Sequence, residues 1–274
     1  NSMLLNKESL VRFLVLLLII PFYNGFSQTP DLNSSNGKAL VIEKSYKNST
    51  IDGYNIFIPN SYDGKNKMPL IMFLQGGSGV GGSVVNIYHW ALPNLLLSNI
   101  DTKLNSYLDD FIYVMPHIKS GQFYNNESAI RDIIEELSNE YNIDNNRIYL
   151  TGLSRGGYGT WGLASKMTDV FAAIAPICGG ARGIENYDSL LNYPIWASHN
   201  TGDPLVKHEF SLNIIKKFEE RGTIFQKVIK LSMANYNYLD KIFVSTISDD
   251  HDSWTDLYKN KNFYKWLLRF KKGN

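Results

Sequence analysis

One stretch limits the folds open to this chain more than any other: Thr151-Gly152-Leu153-Ser154-Arg155-Gly156-Gly157. It reads G-x-S-x-G. Residues 147–151 before it alternate as a short strand does, and residues 158–167 after it read as a helix. A serine held between a strand and a helix sits on a sharp, strained turn that pushes its hydroxyl into the open. Side chains two residues before and after it would collide, so the turn needs Gly152 and Gly156. The backbone N–H of Arg155 would then face a developing oxyanion.

The flanking pattern predicts a parallel sheet. Residues 70–74 (Leu-Ile-Met-Phe-Leu) form a continuous apolar run, as in a strand covered on both faces. Ile130, Ile133, Ile134, Leu137 and Tyr141 make one face of a helix starting near Glu127, with Asn126 as its N-cap. That helix lies between strands, and a strand–helix–strand crossover implies parallel pairing. Further strands are expected at 40–46, 54–58, 111–115 (closed by Pro116), 171–176, 195–198 and 242–247. Helices are expected at 84–98 (broken near Pro93), over Val206, Phe210, Ile214 and Phe218 (ended by Gly222), and over Phe263, Trp266, Leu267 and Phe270. Residues 223–241 read either as a strand with an insertion or as an extra helix. The expected fold class is α/β: a mostly parallel central sheet with helices on both faces, in one domain over residues 39–274.

At 274 residues, 44% hydrophobic and 19% charged, the chain can bury a sizeable core, and a net charge of +1 gives no reason to expect nucleic acid. Cys178 is the only cysteine, which excludes an internal disulfide and a cysteine-based metal site. The N-terminal stretch has the order of a secretory leader. Lys7 and Arg12 precede an apolar run over 13–20, Pro21 ends it, and Gly25 and Ser27 supply the small residues of a cleavage site. Met3 reads as the native start. Cleavage after Ser27 would leave a loose tail, 28–38, and no stable membrane span, and would send the protein out of the cell or into a periplasm. The sequence leaves the oligomeric state open.

The candidate chemistry gathers around Ser154. The loop Gln75-Gly76-Gly77-Ser78-Gly79-Val80-Gly81-Gly82 follows a central strand but lacks the lysine and the spacing of a phosphate loop. Its glycines suit close approach to a substrate carbonyl, with Gly77 N–H as a second oxyanion donor. Serine needs a base, and the base needs an orienting acid. Of five histidines, His251 follows the last strand, where the base stands in the chain order serine, acid, histidine. His117 follows a strand at a sheet position far from the nucleophile. His89, His199 and His208 read as surface, core or substrate contacts. Asp203 follows the intervening strand and is the candidate acid, although Asp before Pro204 is also a good helix N-cap. Asp249, Asp250 and Asp252 are neighbours of His251 along a loop and tend to point away from it.

Gly152-Leu153-Ser154-Arg155-Gly156-Gly157-Tyr158-Gly159-Thr160-Trp161 resembles the nucleophile motif of bacterial α/β-hydrolases of the predicted peptidase and phospholipase/carboxylesterase-like kind. Those are related to the feruloyl and acetyl-xylan esterases of carbohydrate esterase family 1. Similar matches extend to 141–144, 147–149, 171–180, 195–197 with Asp203-Pro204, and His251-Asp252-Ser253-Trp254. The resemblance implies Ser154 as nucleophile, Asp203 as acid and His251 as base. Two departures stand out: Gln75-Gly76 where the family has His-Gly, and Arg155 where methionine is common.

The expected activity is hydrolysis of short acyl or hydroxycinnamoyl esters, small or linked to polysaccharide, with no metal or organic cofactor. Gln75, Trp161 and Trp254 are candidate substrate contacts, and Trp196 is a further aromatic near the site elements. The alternatives are a serine peptidase, a polyester or lipid hydrolase with residues 190–193 or 233–239 as a lid, and a non-catalytic binding protein on the same fold.

Overall fold

The computed structural model describes residues 40–46, 50–82, 84–98, 107–229 and 239–273. The expected leader (1–27) and tail (28–38), and most of the second lid candidate, lie outside the described residues. Among these residues no helix is long and apolar enough to cross a membrane.

Among the described residues nine strands form one sheet: β1 (Leu40–Ser45), β2 (Ile51–Ile58), β3 (Met68–Leu74), β4 (Ile112–Ile118), β5 (Ile143–Leu153), β6 (Ala173–Ile177), β7 (Ile195–Asn200), β8 (Gln226–Val228) and β9 (Lys241–Thr246). Their order is β1-β2-β4-β3-β5-β6-β7-β9-β8. β1–β2 and β2–β4 are antiparallel, and every other pairing is parallel. Among the described residues six α-helices accompany it: α1 (Ala91–Ser98), α2 (Glu127–Glu140), α3 (Arg155–Lys166), α4 (Glu209–Glu219), α5 (Thr255–Tyr258) and α6 (Lys261–Leu267).

The period of two along the strands sorts side chains to the two faces. Leu70, Met72, Leu74, Ile148, Leu150 and Ile174 pack with α2, α3 and α4 through residues such as Ile130, Ile133, Leu163 and Ile214. Ile71, Phe73, Tyr149, Ala173, Ala175 and Val244 pack with α1, α5 and α6 through Leu92, Leu96, Tyr258, Phe263 and Trp266. A sheet covered on both faces explains the unbroken apolar runs. Each fully buried Leu, Ile or Phe contributes about 1.5–3 kcal/mol.

Several local expectations are corrected. Pro116 lies inside β4, not at its end. β3 pairs with β4 only as far as Val114, and beyond it β4 continues against β2. A proline is tolerated where one flank of a strand is unpaired. The break expected at Pro93 falls instead at Trp90–Ala91, between a 3-10 turn (Val84–His89) and α1, with Ala91 at φ 51°. Pro93 then occupies the first turn of α1, where a missing N–H costs nothing. Asn126 stands at the head of α2, but its amide donates to Gln122 O rather than capping the helix. Helix α4 starts at Glu209, so Val206 precedes it. Phe210 is 45% exposed, and the buried face runs through Ser211, Ile214, Ile215 and Phe218. The region 223–241 contains the short strand β8.

Candidate active site

The candidate residues come together at the carboxyl ends of five neighbouring strands, β3, β5, β6, β7 and β9, where open α/β sheets form their crevices. Ser154 links β5 to α3 with φ 53° and ψ −115°, a conformation few non-glycine residues adopt. The neighbours make the turn possible. A Cβ on Gly156 would lie 2.0 Å from Leu74 O, and one on Gly152 would lie 2.6 Å from Gly156 O. The end of β3 thus abuts the head of α3. Ser154 N donates to Ile177 O at 3.0 Å and to the Cys178 sulfur at 3.3 Å. Burial pushes the Cys178 thiol up to about 12, so it is neutral near pH 7. Arg155 is the first residue of α3, and its N–H has no intrahelical partner. It points out at the positive end of the helix dipole. Its guanidinium donates to Gly121 O.

Asp203 has a fully enclosed side chain in the loop after β7. Its Oδ1 accepts from Leu205 N at 2.8 Å and Val206 N at 2.9 Å. These bonds close a turn ahead of α4, so Asp203 does not cap the helix, and Pro204 is not helical. Its Oδ2 faces His251 Nδ1 at 2.6 Å. Burial alone would raise the carboxyl, but the Val206 N–H, His251 and the Leu205 N–H outweigh it and hold it below the usual range. An acceptor at Nδ1 fixes the proton there and leaves Nε2 free to accept one.

The loops bearing this acid and base are stitched to each other. Thr201 N donates to Thr246 O at 2.8 Å, Gly202 N to Ser248 O at 2.9 Å, and Asn200 Nδ2 to Asp250 Oδ1 at 2.8 Å. Asp250 also accepts from Ser248, and Asp252 accepts from Trp254 N and Thr255 at the head of α5. Asp203 is the carboxylate that meets His251. Among the described residues no hydrogen bond joins Ser154 Oγ to His251. The Cys178 sulfur bridges the gap: it touches Ser154 N and lies within 4.8 Å of ligand atoms of both Asp203 and His251. Apo geometry at such sites is often open.

His199 adds a partner that sequence reasoning missed. It is wholly buried, with Nε2 2.8 Å from Val206 O and 3.3 Å from Asp203 Oδ2, and Nδ1 2.7 Å from Ser211 Oγ. Burial holds its pKa below the usual value, and its Nε2 faces the Val206 carbonyl, so the ring packs beside Asp203 and fixes the turn that holds it.

The Gly77–Gly79 segment forms a 3-10 turn. Gly76 lies against Leu153, where a Cβ would come within 2.7 Å of that side chain, so the turn sits beside the elbow. Gly77 is exposed, with open space around it. Gln75 is buried. Its Nε2 donates to Ile118 O at 3.3 Å, and its Oε1 has no partner among the described residues.

The aromatic candidates separate. Trp254 stands at the site, its ring edge-on to His251 with centroids 5.3 Å apart. Trp161 is wholly buried against Phe218, and Trp196 is wholly buried against Phe263 and Trp266. Seven residues beyond Ser154, Trp161 is on the inward side of α3, so the expectation that it contacts substrate is corrected. Residues 190–193 are also no lid: Leu190 is buried and Tyr193 donates to Met167 O.

No family model matches the chain. It is 27% identical over 135 residues to the bifunctional acetylxylan esterase/xylanase XynS20E of Neocallimastix patriciarum, a match covering 47% of this chain and 20% of that protein. The chain thus matches about a fifth or less of the length of its curated relatives. Among solved structures it resembles a thermostable esterase, with a TM-score of 0.68 and 26% identity, over 86% of this chain and 64% of the other. It also resembles the feruloyl esterase module from Clostridium thermocellum, with a TM-score of 0.63 and 17% identity, over 85% and 88%. The fold is that of the α/β-hydrolases.

Proposed function

We propose that this α/β-hydrolase-fold chain is a serine carboxylic-ester hydrolase. One observation carries the reading: the buried Asp203 carboxylate 2.6 Å from His251 Nδ1, beside a serine at φ 53° on a strand–helix elbow. Ser154 Oγ attacks the ester carbonyl as His251 Nε2 takes its proton, and Asp203 holds the ring in the tautomer that can accept it. The N–H groups of Arg155 and Gly77 receive the developing oxyanion. His251 then gives its proton to the departing alcohol, and water releases the acyl group by the same steps in reverse.

The likeness to a thermostable esterase and to an acetylxylan esterase/xylanase supports an ester rather than an amide substrate for this chain. Short acyl or hydroxycinnamoyl esters on carbohydrate are the proposed substrate class, with Trp254 as the aromatic contact at the mouth. Residues 1–27 serve as a cleaved secretory leader, 28–38 as a tail and 39–274 as one catalytic domain. The test is a panel of acetyl, butyryl, feruloyl and long-chain esters with a set of short peptides. Turnover of the short esters and not the peptides is the expected result, and faster turnover of long-chain esters would sink the substrate class. Terminal sequencing of exported protein should begin at Gln28, and an intact leader would mean an anchor.

A further inference from the structure

A second histidine–carboxylate pair stands on the other side of Ser154. His117, wholly buried in β4, faces Asp52 Oδ1 on β2 with Nδ1 at 2.6 Å and the carbonyl oxygen of Gly79 with Nε2 at 3.1 Å. Both partners can only accept. The ring is thus held between a carboxylate on β2 and a carbonyl of the loop after β3.

What it holds matters more than where it sits. Gly79 closes the 3-10 turn that begins at Gly77, and Val80 N donates to Gly77 O at 3.2 Å. Gln75 packs against Gly79, where a Cβ would come within 3.1 Å of its amide nitrogen. The turn is thus anchored at Gly79 and open at Gly77.

We propose that His117 is a positioning residue for the oxyanion loop: held in place by Asp52, it grips Gly79 O and so sets the direction of Gly77 N–H. This rests on the hydrolase reading above. The charged groups on the elements around the ring are Asp52 on β2, Lys119 just past the end of its own strand, and Arg155 at the head of α3. Among the described residues only Asp52 is within ion-pair distance of it.

Two measurements test this separately. Backbone amide spectra read the loop without any substrate: the Gly77 amide resonance should move in His117→Ala and return toward its wild-type position in His117→Gln, whose amide can donate to Gly79 O. A Gly77 amide unmoved in His117→Ala overturns the proposal even in an active enzyme. The second measurement is the split of kcat from KM for p-nitrophenyl acetate. His117→Ala should lower kcat about tenfold or more and change KM little, and His117→Gln should recover most of that loss. A His117→Ala variant with wild-type kcat, or a His117→Gln variant as slow as His117→Ala, overturns the assignment. A protein with no esterase activity fails the functional reading instead, and the amide spectra still decide whether His117 sets the loop.

Discussion

Asp203 and His251 meet at 2.6 Å, Oδ2 to Nδ1, in a pair whose acid is fully enclosed and whose base keeps 16% of its side chain open to solvent. An enclosed acid cannot swing toward another partner, and an open base can exchange protons with substrate and water. Replacing Ser154 or His251 with Ala should therefore lower ester turnover by roughly four to six orders of magnitude, and the double variant should be little worse than either single change. Circular dichroism should find all three folded. The assignment is falsified if folded Ser154→Ala retains near-native activity.

Asp203→Asn should cost activity somewhat less than loss of the base, by about four orders of magnitude, because it spoils the tautomer and leaves the imidazole. The change also has a signature in stability. Asp203 has a depressed pKa in the fold, so its contribution is present above its unfolded value of about 3.9 and is lost as pH falls through the folded value. His199 is depressed too: below about pH 6.5 the unfolded chain takes up a proton that the folded chain resists, so stability falls as pH drops through that range. Denaturant midpoints measured from neutral to acid pH should decline in wild type. The decline below about pH 4 should be shallower in Asp203→Asn. A variant that tracks wild type throughout that acid range would contradict the linkage.

Gly156→Ala should be severe despite adding one methyl group. The new Cβ would lie 2.0 Å from Leu74 O and 2.9 Å from Gln75 O, both backbone atoms that no rotamer change can move. A loss of about 3 kcal/mol or more in thermal or chemical unfolding is expected, from forced separation of β3 and α3. A near-native melting temperature would mean that β3 and α3 can part here at little cost.

The two tryptophans should behave in opposite ways. Trp254→Ala removes a partly buried ring that packs on His251, so KM for aryl esters should rise severalfold with a smaller change in melting temperature than loss of a core ring. Trp161→Ala empties a buried position and should cost about 3–5 kcal/mol, with activity per folded molecule little changed. Equal effects on KM would show that burial does not divide their roles.

The serine elbow was legible because its chemistry needs glycine at fixed offsets, and the strands because a doubly covered sheet needs unbroken apolar runs. Asp203 and His251 could be named from chain order. His199 and His117 could not: each looked like a histidine in or beside a strand, and its meaning depends on a carboxylate brought near by folding, Asp203 for one and Asp52 for the other. The same limit explains the tryptophans, since strand and helix phase, not residue type, decides which ring meets solvent. The boundaries at Pro116 and Pro93 shifted for a local reason. A proline breaks a ladder only where its N–H would have been used, and in β4 and in the first turn of α1 it was not.

The backbone bonds from Thr201 and Gly202 to the segment after β9 make the acid and base loops one mechanical body. On the proposed hydrolase reading, a push on either loop should carry both residues, so the Asp203–His251 distance should hold while the gap from His251 to Ser154 adjusts to substrate. The trace of this coupling should be found in amide exchange: the protons of Thr201 and Gly202 should exchange in step with the β7–β9 ladder, far slower than their place in a surface loop would suggest.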